Sequence, residues 1–350
     1  MTPSLTCTRS IAALITCAFA ALATSSATAQ TTATTDPVGF ITLNVAGTGG
    51  VGANKISFTG LSLTRPVEYQ GSAETVGASA LTDNEATWTD GQFNAGAEKY
   101  FVELTSGAGA GTTYDIATTT AATKTITTAQ PLVGAANGVT FKIRKHHTLG
   151  YVFGPNNESG LGGGTSTSAD QILIWNGTGY DTFYYQTSGL GGVGWRKGGA
   201  PAVNVTNNPI YPEDGVIVKR QQSANVGVIL MGAVKTGQTS IPVGVGINIF
   251  GNVYAAPLTL ADSGLYTGNS GSGLNGGTST SADQVLIWNG TGYDTYYYQT
   301  AGLGGVGWRK GGAPAVDASA TPIPVGQSVV IKRQFAAAFN WVIAQHPASL

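Results

Sequence analysis

The sequence predicts an all-β protein, with tandem sandwich-like modules behind a cleaved export signal. Three observations carry that reading. The first is composition: Gly is 51 of 350 residues, 42% are hydrophobic, only 10% are charged, and Met occurs twice. Short runs of Val, Ile, Tyr and Thr alternate with Gly, Asn and Pro, which is strand-and-turn chemistry, and no window sustains a 3.6-residue apolar period. The second is a tandem duplication with a 113-residue offset. Residues 159–203 and 272–316 agree at 41 of 45 positions without a gap. The third is the N-terminus, where Arg9 precedes an apolar run from Ile11 to Ala23 and then Ala27-Thr28-Ala29.

That leader reads as a Sec-type signal peptide, residues 1–29, cleaved before Gln30. Its 13-residue apolar run is too short to cross about 30 Å of hydrocarbon, so no transmembrane helix is expected in the mature chain. Leu14-Ile15-Thr16-Cys17 is a poor lipobox, because it lies inside the apolar run and has Thr where a small residue is wanted. Both cysteines, Cys7 and Cys17, fall within the leader. The mature protein is therefore expected to have no disulfide, thiol nucleophile or thiolate metal site. The expected address is extracellular or cell-surface, with the periplasm as the other destination Sec export allows.

Residues 30–148 are expected to form an N-terminal β module, 149–261 a module holding the first repeat block, and 262–350 a module holding the second. Past the blocks the register continues, but 204–237 and 317–350 agree at only 7 of 34 positions. A Pro, an apolar residue, a short turn and an apolar strand recur from Pro131, Pro209, Pro242 and Pro322. Pro stops a strand and pre-sets a turn. Two copies share the lead-in Lys-Thr-x-x-Thr-x-x-Pro, at Lys124 and Lys235, which marks the N-terminal region as a degenerate relative of the later modules. Within each block, residues 171–175 and 180–186 form a hairpin around Asn176-Gly177-Thr178-Gly179.

Asp36-Pro37-Val38-Gly39-Phe40, the stretch from Ile143 to Leu149, Ala169-Asp170-Gln171 before a Trp-ending strand, and Tyr184-Tyr185 before Trp195 form a pattern. It resembles an uncharacterised family of exported, mostly β bacterial proteins found as several paralogues in Verrucomicrobia-type genomes. The resemblance covers nearly the whole mature chain. It implies export and a β fold, and brings no activity, ligand or catalytic residue with it.

The chemistry-bearing residues do not assemble into a catalytic pattern. Asp170 with Asp181, and Asp283 with Asp294, are the doubled carboxylate pairs to weigh against glycoside hydrolysis. Their hairpin context favours hydrogen bonds to turn and strand-entry backbone. His146 and His147 are adjacent, so on a strand they point to opposite faces and cannot chelate one metal together. His346 lies near the C-terminus, and the sequence holds neither a zinc spacing nor a Gly-x-Ser-x-Gly element. The Gly-rich stretch 189–194 lacks the Lys-Ser/Thr ending of a phosphate loop. Arg196-Lys197 and Arg309-Lys310 are expected to keep an exposed loop or edge charged. No catalytic residue, metal or cofactor is expected, and a net charge of −1 without a basic cluster gives no electrostatic case for nucleic acid.

The aromatic residues are the most suggestive. Each block offers a set, Trp175, Tyr180, Tyr184 and Trp195, or Trp288, Tyr293, Tyr297 and Trp308. Strand alternation places Tyr180, Tyr184 and Gln186 on one face, where rings beside carboxamides would suit a sugar. The competing reading is that the rings fill a sheet core. Three functions follow. The leading one is a non-enzymatic structural or adhesive protein of the cell surface or matrix. The runner-up is a glycan-binding protein using the repeated Trp/Tyr faces, so that polysaccharide and other surface proteins are the expected partners. The third is an outer-membrane β-barrel, disfavoured by short strands and by a C-terminus without an aromatic end.

Overall fold

In the computed structural model, which describes residues 36–48, 54–335 and 337–344, the described chain starts with two strands. They are β1 (Val38–Val45) and β2 (Lys55–Gly60), and neither belongs to a separate N-terminal module. An independent seven-stranded sheet follows: β3 (Val67–Ala73), β4 (Thr75–Gly77), β5 (Ala80–Thr82), β6 (Tyr100–Leu104), β7 (Thr113–Thr120), β8 (Thr125–Thr128) and β9 (Val139–Lys145). Its order is β3-β9-β6-β7-β8-β5-β4, and its core holds Leu81, Trp88, Phe93, Val102, Phe141 and Ile143. We call it the insert.

The chain then returns to the strands it left. After β10 (His147–Thr148) and a single-turn helix α1 (Leu149–Phe153), it forms β11 (Gln171–Trp175), β12 (Tyr180–Gln186) and β13 (Gly194–Lys197). β14 (Pro209–Ile210), β15 (Gly215–Arg220) and β16 (Val226–Ala233) complete the first repeat. Thr148 caps α1, its hydroxyl accepting from Tyr151 N at 3.1 Å. The main sheet runs β13-β12-β11-β15-β2, while β1 pairs with β16 and β10 with β14. Ile172, Phe183, Trp195, Val216 and Val218 of the sheet pack against Leu43, Val45, Val228 and Leu230 of the β1–β16 ribbon. Each such side chain contributes about 1.5–3 kcal/mol on burial, so this seam is what makes the two layers one body.

The second repeat follows without interruption: β17 (Thr239–Val243), β18 (Gly246–Gly251), β19 (Leu258–Thr259), β20 (Gln284–Trp288) and β21 (Tyr293–Gln299). It ends with β22 (Gly307–Lys310), β23 (Ala313–Asp317), β24 (Pro322–Ile323), β25 (Ser328–Arg333) and β26 (Phe339–Ile343). The order β18-β25-β20-β21-β22-β23, with β17–β26 and β19–β24 beside it, repeats the first arrangement. Thr239 stands where Ile41 stands, because each faces the equivalent residue of its partner strand, Ile343 or Leu230. Phe250 likewise stands where Thr59 does.

The expected boundaries at 148/149 and 261/262 therefore do not follow the pairing. β1 and β2, inside 30–148, belong to the first repeat, and β17 and β18, inside 149–261, belong to the second. The N-terminal region is not a degenerate copy. It is two strands of a repeat plus an insert of different strand order, and the Pro131 signature leads into insert strand β9. Ion pairs join the insert to the repeat: Arg144 and Lys142 meet Asp36, and Lys235 meets Glu103.

The two main sheets pack on each other through Phe58 and Ile217 of the first repeat and their equivalents Ile249 and Val330. Equivalent residues meeting in one cluster make the relation an approximate two-fold. Gly60 and Gly251, also equivalent, lie at its centre. A Cβ on either would stand 2.8 Å from the other's Cα, which only glycine tolerates. Their amides bond reciprocally, Gly60 N to Gly326 O at 3.0 Å and Gly251 N to Glu213 O at 2.9 Å. Among the described residues no sheet closes on itself. The leader, Cys7, Cys17 and His346 lie outside the described residues.

Candidate functional site

The hairpin of each repeat forms as its sequence requires. Asn176 Oδ1 accepts from Thr178 N at 3.1 Å and Gly179 N at 2.9 Å, and Gly177 takes φ +94°; Asn289 and Gly290 repeat this. The hairpin then carries its aromatics to two different places.

Tyr184, Trp195, Tyr297 and Trp308 are core residues, only 1–4% exposed, and offer no surface to a glycan. Trp195 lies against Phe153 and Tyr185, with ring centroids 5.9 and 5.4 Å away, and donates Nε1–H to Gly154 O at 2.8 Å. Tyr184 does share a face with Tyr180, but the Gly-rich loop folds back over that end. In the loop Gly189, Gly191, Gly192 and Gly194 all have positive φ. Buried Gln186 donates to Leu190 O at 2.6 Å and Gly192 O at 2.8 Å. Buried Arg196 donates to the carbonyls of Gly191, Gly192, Val193 and Trp195. Gln299 and Arg309 make the same bonds to 303–306 and Trp308.

Arg196 and Arg309 are thus buried loop-organising residues rather than edge charges. Lys197 and Lys310 pair instead with Asp181 at 2.7 Å and Asp294 at 2.8 Å. The result is two loops held by side-chain bonds to their carbonyls, whose tips, Leu190 with Val193 and Leu303 with Val306, stand 61–71% exposed.

Trp175, Tyr180, Trp288 and Tyr293 go elsewhere, to the border between the repeats. Each Trp–Tyr pair is edge-on with centroids 5.1 Å apart, and the two tyrosines are the exposed members. Phe58 packs 5.5 Å from both Trp288 and Tyr293. Burial, with the Tyr180 hydroxyl adding to it, pushes the Tyr293 hydroxyl up to about 12. Trp288 donates to Ile56 O at 3.1 Å, and beside it Asn44, Lys55, Ser57, Asn289 and Gln327 complete a cavity of about 310 Å³. Compared with known protein families, characterised proteins and solved structures, this chain matches none.

The carboxylate pairs are separated by their surroundings. Asp170 and Asp283 are fully buried, each against an arginine, Arg220 and Arg333. Asp170 also accepts from Gly162 N and Gln221 N, and Asp283 from Asn275 N, Gln334 N and Phe335 N. Every oxygen is committed to folding, while Asp181 and Asp294 sit on the hairpins with lysines. His147 Nε2 donates to Leu63 O at 2.8 Å, and burial pushes its pKa down to about 4. Among the described residues no three His, Cys, Asp or Glu side chains converge as metal ligands do.

One polar cluster escaped the sequence reading. His146 Nε2 lies 2.8 Å from Asp115 Oδ1, and Tyr211 donates to Asp115 Oδ2 at 3.0 Å. Asp115 and Tyr211, with Glu213, line a cleft of about 440 Å³ bordered by the insert and the β17–β26 ribbon. Burial raises Asp115, but the bonds from His146 and Tyr211 outweigh it and hold the group low. Burial raises Glu213, and burial together with Glu213 pushes Asp214 up to about 8. A low and a raised carboxyl side by side is the electrostatic pattern of an acid–base pair. Yet both Asp115 oxygens already accept hydrogen bonds that tie the insert to the first repeat. The residues come from positions 115, 146 and 211–214, and no local motif signals their meeting.

Proposed function

We propose that this chain is a non-catalytic, exported structural or adhesive protein of the cell surface or extracellular matrix, making contact through its two Gly-rich loops. One observation carries the reading. In each repeat a buried Arg and a buried Gln spend their donors on the loop carbonyls, while Leu190, Val193, Leu303 and Val306 point outward. A loop that served only to connect strands would need neither that scaffold nor exposed apolar tips. Pre-organised loops lose little entropy on docking, and two equivalent copies allow avidity. Changing all four tip residues to Ser is expected to leave the melting temperature almost unchanged, since exposed side chains change stability by about 0.5 kcal/mol or less each. The same variant is expected to lose retention on the host cell envelope in a fractionation assay. Unchanged retention overturns the reading.

The glycan reading keeps one specific support, the cavity beside Trp288 with Lys55, Asn289 and Gln327 at its rim. An aromatic wall with carboxamides suits a sugar ring. Under that reading Asn289→Ala with Gln327→Ala abolishes retardation in polysaccharide-containing native gels, and the loop variant does not.

A further inference from the structure

The β1–β16 ribbon carries the most exposed apolar face of the described chain. Leu43, Val45, Val228 and Leu230 point into the core, so alternation turns Phe40, Thr42, Ile229 and Met231 outward. Phe40 lies directly opposite Met231, and Thr42 opposite Ile229, which makes the outward residues one continuous surface. With Val38 at its end, the apolar members are 62–78% exposed. Neither strand contains a single charged residue, the usual guard of a free sheet face or edge. The outer edge of β1 has no strand neighbour among the described residues.

The second repeat supplies an internal control. Its β17–β26 ribbon has the same fold and the same pairing, but its outward residues are Ser240, Pro242, Asn340 and Val342. Gln238 stands where Phe40 does. That face looks across the 440 Å³ cleft at the insert, with Ser240 N donating to Gly111 O at 3.0 Å and Gln238 Nε2 to Ala110 O at 2.9 Å. Among the described residues, the ribbon that faces a neighbour within its own chain is the polar one, and the ribbon that faces none is apolar. A chain that stayed single would need the reverse, because the fold itself is satisfied by either surface.

We infer that the outer face of the β1–β16 ribbon is a homodimer interface, on which a second copy seats its own β1–β16 face across a two-fold axis. An uncharged face meets itself without like-charge repulsion, and an isologous contact needs no second patch. The four apolar side chains expose on the order of 500 Å², so two faces bury about 1,000 Å², the lower bound of a specific interface. Sheet-on-sheet packing is also how each repeat builds its own core. The inference goes beyond the adhesive reading and holds whatever the Gly-rich loops bind.

Sedimentation equilibrium of the purified protein tests it, with Phe40→Ser and Ile229→Asn as separate variants. The wild type is expected to be a monomer–dimer system with a dissociation constant near the micromolar range, and each variant to weaken it about tenfold or more. Both side chains are exposed, so the variants should melt with the wild type, which separates lost association from lost folding. A wild type that stays monomeric up to about 100 µM overturns the inference. So does a folded variant that dimerises as tightly as the wild type, or assembly that continues past the dimer.

Discussion

Replacing Asp283 with Ala leaves the Arg333 guanidinium without the one carboxylate it meets among the described residues, in a site where both side chains are fully buried. Arg333 keeps its bonds to the Gly273, Ser270 and Ala337 carbonyls and its place 4.6 Å from the centre of the Phe339 ring, so it cannot leave without dismantling the loop. Breaking one half of a buried pair costs about 3–5 kcal/mol. The amides of Asn275, Gln334 and Phe335 lose an acceptor as well, at about 1–3 kcal/mol for each that stays dry. These terms overlap, so the expected loss is about 4 kcal/mol or more in urea denaturation. At roughly 2–4 °C per kcal/mol, the melting temperature falls by about 8–16 °C. The companion variant Asp283→Leu with Arg333→Met should recover much of this, because no lone charge remains. A single-variant loss under about 1 kcal/mol, or a double variant weaker than the single one, refutes the reasoning. Asp170→Ala, which strands Arg220, should behave alike in the first repeat.

Tyr184→Ala with Tyr297→Ala should destabilise by several kcal/mol, since truncating buried aromatics costs about 3–5 kcal/mol each; an unchanged urea midpoint would return these rings to the surface. Gly251→Ala puts a methyl 2.8 Å from the Gly60 Cα, and overpacking against backbone should cost about 1–3 kcal/mol by the same measurement. The raised Asp214 gives a pH signature: the folded chain holds a proton at Asp214 that the unfolded chain releases above pH 3.8. Its contribution is therefore complete below pH 3.8 and lost as pH rises to about 8, so the wild type should lose stability against Asp214→Asn across that window. A pH-independent difference between their melting temperatures would contradict the assignment.

Local structure was legible in the residues wherever the signal was local. The hairpin strands begin and end at the expected positions 171–175 and 180–186, because β-branched runs and an Asn-Gly turn specify them within a dozen residues. The faces of those strands were only half legible. Period-two alternation put Tyr184 with Tyr180, which is correct, but alternation says nothing of the covering loop, which Gln186 and Arg196 fold back by donating to carbonyls one to six residues away. The uninterrupted run Phe183-Tyr184-Tyr185-Gln186 was the available clue, since a strand buried on both faces has no polar alternation. Membership of β1 and β2 in the first repeat was not legible. In the paired register the positions of β1 and β2 match their counterparts at only 4 of 14 residues, and the insert removes any common offset. Pairing, a non-local property, is the only thing that reveals the match.

The insert also bears on how the chain reaches its native state. In the second repeat β18 must find β25 across a single stretch of chain, whereas in the first β2 must find β15 across one about twice as long. Closure entropy grows only logarithmically, so the extra length costs about 0.6 kcal/mol, but such distant pairings form late. The insert offers a remedy. Its first strand pairs with its last, Val67 opposite Arg144, so once it has condensed the chain on either side is drawn together. A folded insert is then a short tether, and the order of events during synthesis suits it: insert before first repeat, with β1 and β2 waiting for partners made later. A mutation that only loosens the insert should therefore slow assembly of the first repeat while leaving its finished stability almost untouched.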